Sequence, residues 1–219
     1  FILFNYLNMH YEKKIDINFE SLDKEFHAIG AGNLKNDWMF NEHSRIIKSH
    51  LKYLPILKYK NAVGLIRDPR DVMVSYYHYK KFRGGAFEGD FQSFIRDRRY
   101  GLSNWYKHYN SWFNNWHLIM MYENLKRDTF NEIKKVLDFI EFNYDEELLV
   151  EAIELSDMDN IKRIDPIKKD LKNSLSSEKV EFARSGKVRQ WEEYFKNSDI
   201  DYYENLIDNL DKKSKFPYA

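Results

Sequence analysis

Short apolar runs and amphipathic stripes alternate through the middle of the chain. NAVGLI at 61–66 is a nearly continuous apolar run, which is typical of a buried parallel strand. Asp68 then supplies an N-cap, Pro69 fits the first helical position, and Asp71 falls where the acid of a capping box would lie. The pattern therefore predicts a strand, a tight turn and a helix that begins sharply after residue 68.

The same order of elements recurs further along the chain. Aromatic residues follow helical spacing between Trp105 and Trp116, and LIMMY at 118–122 predicts a second buried strand. A third helix follows, with Asp128 as its cap and an apolar stripe over 130–140. This alternation favours an α/β fold with a parallel β-sheet flanked by helices, in one domain over residues 1–219. Ligands of such folds bind beyond the carboxyl ends of the strands.

Composition narrows the classes of partner. Lys plus Arg and Asp plus Glu number 35 each, so no whole-chain charge exists to hold nucleic acid or an anionic membrane. The chain has no apolar run of the roughly 20 residues that a membrane helix needs and no signal-like segment. Its lack of cysteine fits a reducing compartment without excluding an oxidising one, so we expect a cytoplasmic protein. There is no cysteine, and no histidines stand at metal-ligand spacing, so we expect no bound metal.

An anion site is predicted where the first strand meets its helix. Arg67 stands at the carboxyl end of that strand, directly before helical amides that lack intrahelical partners. Ser75 lies about two turns after Asp68 and shares its face, so its hydroxyl can reach the same phosphate. The alternative is a charged turn in which Arg67 and Arg70 pair with the neighbouring acids, and the spacing alone leaves both readings open.

Four blocks along the chain resemble, in order, the segments of one enzyme family. LIRDPRDVMVSYYHY at 65–79 is similar to the segment that binds the 3′-phosphate of 3′-phosphoadenosine 5′-phosphosulfate (PAPS) in that family, the cytosolic-type sulfotransferases. RIIKSHL at 45–51, MMYENLKRD at 120–128 and RSGKVRQW at 184–191 resemble three further family segments. The resemblance implies a P-loop-NTPase-like sulfotransferase fold. It also implies transfer of a sulfuryl group from PAPS to a hydroxyl or amine, which leaves 3′-phosphoadenosine 5′-phosphate (PAP).

The resemblance also assigns nucleotide-binding roles. By it, Arg67 and Ser75 hold the 3′-phosphate and Tyr122 contacts the adenine, although an ordinary strand-end aromatic explains Tyr122 equally well. IELSDMDNIK at 153–162 is similar to a family segment that would place Ser156 and Met158 near the nucleotide, and it also reads as a generic helix start.

The block at 184–191 is similar to a phosphate clamp, although a solvated basic loop is the alternative. Arg184 can donate bidentately to phosphate oxygens, and Gly186 lets the backbone approach them. Ser185 replaces the usual lysine of the family, and Arg189-Gln190 replace the usual Gly-Asp. One phosphate contact is therefore expected to be neutral or to come from Lys187.

Two histidines are candidates for the chemistry of transfer. Lys48 and His50 are two residues apart, so both project from one face of an extended segment. An imidazole titrates near neutral pH, so His50 is predicted to be the general base for the acceptor. The resemblance implies that Lys48 stabilises charge on the transferring group. His108 has a counterpart that lies toward the acceptor in similar enzymes. The alternatives are that His50 is an ordinary surface or core histidine and that His108 is structural.

The family's loop for the 5′-phosphosulfate, similar to P-K-S-G-T-T-W, does not occur in the sequence. The chain opens at Phe1 within the apolar run FILFNYL, which predicts a helix over 1–10 without a capping residue. We therefore expect an N-terminally truncated domain that lacks its first strand and phosphate loop, and the activity of such a fragment is an open question. A non-catalytic nucleotide-binding or scaffold protein is the alternative function. The acceptor, whether a small molecule, lipid or sugar, and the oligomeric state are not encoded in these patterns.

Overall fold

The computed structural model describes residues 1–26, 38–40, 42, 45–55, 61–83, 85–164, 186–210 and 216–218. They form two compact units, one from the described parts of 1–51 and 128–164 and the other from those of 52–127 and 186–218. A single domain over residues 1–219 stays a prediction.

Helices predominate in both units. In chain order the described elements are α1 (Ile2–His10), α2 (Phe19–Glu25), β1 (Val63–Ile66), α3 (Pro69–His78), a π-helical turn (Tyr79–Arg83), α4 (Phe91–Arg96), α5 (Leu102–Trp112), β2 (Leu118–Met121), α6 (Tyr122–Arg127), α7 (Thr129–Phe139), α8 (Glu146–Leu155), α9 (Met158–Ile164), a 3-10 turn (Gln190–Glu193) and α10 (Asn197–Leu210). Within these residues, no helix combines the length and apolar character needed to cross a membrane.

The two described strands pair in parallel, which confirms the predicted α/β arrangement. Val63 lies opposite Leu118 and Ile66 lies opposite Met121. The expectation that β1 is buried on both faces is wrong, because its burial alternates and Leu65 is 58% exposed. The alternating β-strand geometry places Gly64 and Ile66 on the buried face.

Helix α3 begins where the sequence predicts. The Asp68 carboxylate accepts the backbone N–H of Arg70 at 2.9 Å, and Pro69 occupies the first helical position. The predicted capping box is wrong, because the backbone N–H of Asp68 donates to Glu123 Oε1 at 3.1 Å rather than to Asp71. Asp71 is left to bind other groups.

Aromatic side chains build the core of the unit that contains the sheet. Phe94, Ile95 and Met73 are fully buried there, and Tyr109 and Phe216 join the same cluster. Helix α5 is confirmed, although it ends at Trp112 rather than reaching Trp116. The apolar run at 118–122 predicts a strand over its whole length, whereas in the structure the strand ends at Met121 and helix α6 begins at Tyr122.

The other unit is built around α1 and α8. The buried hydroxyl of Tyr6 accepts the backbone N–H of Asp145 at 2.8 Å, just before α8 begins. Asn5 Nδ2 donates to Ser156 Oγ at 2.7 Å, at the end of that helix. Both predicted helices of this unit, α1 and the Asp128-capped α7, are confirmed.

Candidate functional site

The parallel register of the sheet brings two predicted site residues side by side. Because Ile66 lies opposite Met121, the next residues, Arg67 and Tyr122, leave the ends of neighbouring strands together. The Arg67 guanidinium lies over the Tyr122 ring, with its carbon 4.5 Å from the ring centroid. This is the edge of a parallel sheet at which α/β proteins bind ligands.

The segment 186–191 also contacts Arg67 and Tyr122. The Tyr122 hydroxyl donates to the carbonyl of Gly186 at 3.1 Å, and Arg67 Nη2 donates to the carbonyl of Lys187 at 2.6 Å. Gly186 has φ of 60°, a left-handed conformation that suits glycine. Three of the predicted nucleotide-binding residues, Arg67, Tyr122 and Gly186, are therefore in one place.

Asp71 holds this segment to the start of α3. Its side chain is 1% exposed and accepts three hydrogen bonds, from Arg67 Nη2 at 3.2 Å, the backbone N–H of Arg189 at 2.8 Å and that of Trp191 at 3.0 Å. Sequence reasoning missed this role because an acid three residues after an N-cap is the usual sign of a capping box. Its true partners lie 118 and 120 residues away along the chain.

Arg189 explains one departure from the family pattern. Its φ is 61°, so an arginine adopts the left-handed conformation at a position where the family usually has glycine. Its guanidinium pairs with Glu192, with side-chain exposures of 74% and 46%. The backbone conformation of the loop is thus kept at a local cost in strain.

The charged turn that the sequence left open is also present. Arg67 pairs with Asp71 at 3.2 Å and Arg70 pairs with Asp68 at 2.7 Å, while Arg70 lies 4.0 Å from the ring centroid of Trp191. These pairs do not satisfy Arg67 completely. Its Nε is buried and has no hydrogen-bond partner among the described residues.

An unsatisfied buried donor of this kind costs about 1–3 kcal/mol, so a bound anion would relieve it. The donor lies at the amino end of α3, whose dipole favours the same charge. Burial raises the pKa of Tyr122, although the Arg67 guanidinium opposes the rise, so this phenol stays protonated and donates to Gly186. The arrangement suits a phosphate with an aromatic group beside it.

Other predicted nucleotide ligands are less fully placed. Ser75 lies on α3 with an exposed side chain, and Arg184 and Ser185 fall outside the described residues. Ser156 ends α8, where its hydroxyl accepts from Asn5 Nδ2 and donates to the carbonyl of Ala152, both at 2.7 Å. Met158 begins α9. The roles of all these residues stay predictions.

A cavity of about 230 Å³ lies next to the segment of Ser156 and Met158. Its lining is Phe1, Asn5, Ile17, Leu155, Asn160, Ile161, Arg163 and Ile164.

Among the residues the structure describes, no cluster of three or more acidic or histidine side chains could hold a metal ion.

The predicted catalytic pair lies in the unit that contains α1. Lys48 Nζ donates to Asp23 Oδ1 at 2.5 Å, with side-chain exposures of 40% and 69%. Lys48 forms a single bridge rather than part of a longer strand, and His50 is exposed. His108 is half-buried on α5, where its carbonyl accepts the hydroxyl of Ser111 at 2.7 Å. The functional roles of these three residues stay predictions.

Among the described residues, two parallel strands flanked by helices, with an arginine and a tyrosine just beyond their carboxyl ends, define an α/β protein. The sulfotransferase domain family matches residues 14–215, so the chain belongs to the sulfotransferase family. Human Sulfotransferase 1C2 is 30% identical over 174 residues, which cover 69% of this chain and 56% of the relative. Luciferin sulfotransferase of Photinus pyralis is 28% identical over 200 residues, which cover 81% of this chain and 54% of the relative. The chain therefore spans a little over half the length of these relatives.

Solved structures confirm the predicted sulfotransferase fold. Retinol dehydratase in complex with retinol and PAP aligns with a TM-score of 0.72 at 18% identity, over 100% of this chain and 80% of that one. Mouse sulfotransferase SULT7A1 complexed with PAP aligns with a TM-score of 0.65 at 20% identity, over 95% of this chain and 80% of that one.

Proposed function

We propose that this protein transfers a sulfuryl group from PAPS to a hydroxyl or amine of a small-molecule, lipid or sugar acceptor. PAPS supplies the activated sulfuryl group when it is bound, and PAP is the product. The observation that carries the proposal is the buried Nε of Arg67, which has no partner among the described residues and lies at the edge where both strands end. Membership of the sulfotransferase family supports the same reaction.

The 3′-phosphate is proposed to bind at Arg67. Charge-assisted hydrogen bonds contribute about 1.5–3 kcal/mol, and a guanidinium donates to phosphate in a fixed planar geometry. Ser75 is proposed to add its hydroxyl, as the family resemblance implies. Loss of the Arg67 side chain should therefore weaken PAP binding by roughly 10- to 100-fold.

The adenosine is proposed to lie near Tyr122 and the segment that begins at Gly186. The contact between Tyr122 and Gly186 fixes the phenol ring at this edge of the sheet, and the Arg67 guanidinium lies over one of its faces. Arg184 and Ser185 are proposed to add phosphate contacts, and Ser156 and Met158 to lie near the nucleotide. The two structural neighbours named above were both solved with PAP, which is consistent with a nucleotide of this class.

The acceptor is proposed to lose its proton to His50. The exposed imidazole can reach a bound alcohol without first breaking a buried contact. Once Lys48 has separated from Asp23, Lys48 is proposed to stabilise charge on the transferring sulfuryl group. Exposed ion pairs are worth about 0–1 kcal/mol, so the release of Lys48 from Asp23 is cheap.

Thermal unfolding with PAP and with AMP, which lacks the 3′-phosphate, tests the nucleotide site. At 100 times its dissociation constant a ligand of the folded state adds about 2.7 kcal/mol, or roughly 5–10 °C for a chain of this size. We expect this rise with PAP, a smaller one with AMP, and loss of the difference in Arg67→Ala. Arg98→Ala, a change at an exposed arginine of the same unit, should behave as the unchanged chain.

The non-catalytic alternative separates from the enzyme by turnover. A protein that binds PAP but releases no PAP from PAPS across alcohol and amine acceptors would be a nucleotide-binding protein rather than a transferase. Equal stabilisation by PAP and AMP would instead overturn the 3′-phosphate site itself.

A further inference from the structure

We propose that Asp71 is a positioning residue for nucleotide binding, which holds Arg67 and the segment 186–191 in the arrangement that receives the 3′-phosphate. The inference rests on the proposed function and adds to it a residue that touches no ligand. The observation that carries it is one buried carboxylate with three hydrogen-bond donors. One donor is the nearby Arg67, and the other two lie 118 and 120 residues further along the chain.

The first link is between Asp71 and Arg67. They are four residues apart across the turn into α3, and Arg67 Nη2 lies 3.2 Å from Asp71 Oδ2. An arginine side chain has many rotamers, so a buried partner at one end of the guanidinium limits where the other donors point. Asp71 fixes Nη2, and Arg67 Nε is the buried donor that remains.

The second link is between Asp71 and the segment 186–191. Asp71 Oδ2 accepts the backbone N–H of Arg189 at 2.8 Å, and Oδ1 accepts that of Trp191 at 3.0 Å. These two bonds bracket Gln190 and hold the left-handed backbone at Arg189. The same segment supplies the Lys187 carbonyl to Arg67 and the Gly186 carbonyl to Tyr122. One carboxylate therefore organises both sides of the site.

The negative charge of Asp71 would by itself weaken the binding of a phosphate. A carboxylate near a bound phosphate repels it, so an acid that only added charge would weaken nucleotide binding. The two accounts predict opposite signs for Asp71→Asn. If Asp71 merely adds negative charge, this change should tighten PAP binding, and if it positions the donors, the change should weaken PAP binding.

Asp71→Asn is a close mimic in shape but not in hydrogen bonding. The asparagine amide has one acceptor oxygen, so its NH₂ group must face a group that donates a hydrogen bond to the Asp71 carboxylate in the unchanged chain. A backbone N–H or a guanidinium donor loses its partner, and such buried losses are costly. We expect PAP to bind about 10-fold or more weakly, with a smaller change for AMP. Asp71→Glu, which keeps both acceptors, should recover part of the loss and gives a second variant if Asp71→Asn folds poorly.

Asp97→Asn is the matched control. Asp97 Oδ1 accepts the backbone N–H groups of Arg99 and Tyr100 at 2.7 and 2.8 Å, in the turn between α4 and α5. This change removes the negative charge of a carboxylate in the same unit, while the remaining amide oxygen can still accept both backbone N–H groups, so it controls for the loss of charge alone. PAP binding should remain within about twofold of that of the unchanged chain, because no proposed nucleotide ligand depends on Asp97.

Amide hydrogen exchange of the ligand-free chain tests the link independently of nucleotide. Exchange at Arg189 and Trp191 should accelerate at least tenfold in Asp71→Asn and remain unchanged in Asp97→Asn. Unchanged exchange at both amides, or PAP binding as tight as or tighter than that of the unchanged chain, would overturn the inference. If the unchanged chain failed to bind PAP, the proposed function would fall, while the exchange rates would still decide whether Asp71 holds the segment.

Discussion

The left-handed backbone at Arg189 gives a stability prediction with a definite sign. A non-glycine residue in this conformation costs roughly 1–2 kcal/mol. Glycine avoids that cost, but it loses more conformational entropy on folding, which costs about 0.5–1 kcal/mol relative to alanine. The Arg189–Glu192 ion pair is lost equally in glycine and alanine variants, so a comparison of the two isolates the backbone.

The free energy of unfolding of Arg189→Gly should therefore be about 0.5–1 kcal/mol higher than that of Arg189→Ala. The matching difference in melting temperature is roughly 1–4 °C for a chain of this size. Urea unfolding at neutral pH measures the difference directly. The bonds from Asp71 to the backbone of Arg189 and Trp191 remain available in both variants, so both should keep the native loop.

Arg98 supplies the matched control for the backbone argument. It is an exposed arginine in the same unit with a negative φ. There the order should reverse, with Arg98→Ala more stable than Arg98→Gly by about 0.4–1 kcal/mol. If Arg189→Ala were as stable as Arg189→Gly, the strain assigned to this position would be refuted.

Three further changes test other parts of the account. Gly64→Ala should cost about 1–3 kcal/mol in urea unfolding, because its Cβ would meet indole atoms of Trp116 at 2.6–2.7 Å. Burial would raise the pKa of Asp199, but hydrogen bonds from a backbone N–H and from Arg96 hold it below its ordinary value. Asp199→Asn should therefore cost about 2 kcal/mol at pH 7, and this gap should close as the pH falls through the folded-state pKa. His50→Ala should lower the sulfuryl-transfer rate by roughly 10²- to 10⁴-fold and spare PAP binding, and an unchanged rate would remove His50 as the base.

Local patterns were sufficient for much of the fold. The apolar run of β1, the cap at Asp68 and Pro69 after it lie within a few residues of one another, and short-range preferences decided their structure. The convergence of Arg67 and Tyr122 was also within reach of the sequence. Each follows a predicted strand, and parallel pairing brings such ends together.

Long-range polar contacts were beyond local patterns. The local pattern predicts a capping box at Asp71, because a capping box involves only neighbouring residues. Its bonds to Arg189 and Trp191 span 118 and 120 positions and depend on how the segment folds back. The pair of Lys48 with Asp23 was missed for the same reason, since 25 residues separate them.

The end of β2 shows a different limit. The apolar run at 118–122 carries no residue that stops a strand, so the boundary before Tyr122 was not visible. Tyr122 instead begins α6, and its position as the first helical residue turns its ring toward Arg67 and Gly186. A boundary error of one residue here leaves the assignment of Tyr122 to the site unchanged.

Phosphorus NMR of PAP offers the most direct test of the central claim, because its 3′- and 5′-phosphates give separate resonances. On titration with the 219-residue chain, we expect the 3′-phosphate resonance to shift, and we expect Arg98→Ala to reproduce this shift. In Arg67→Ala that shift should be lost, or should require roughly 10- to 100-fold more protein. A 3′-phosphate resonance that responds equally to Arg67→Ala and to the unchanged chain would contradict the claim that Arg67 binds the 3′-phosphate.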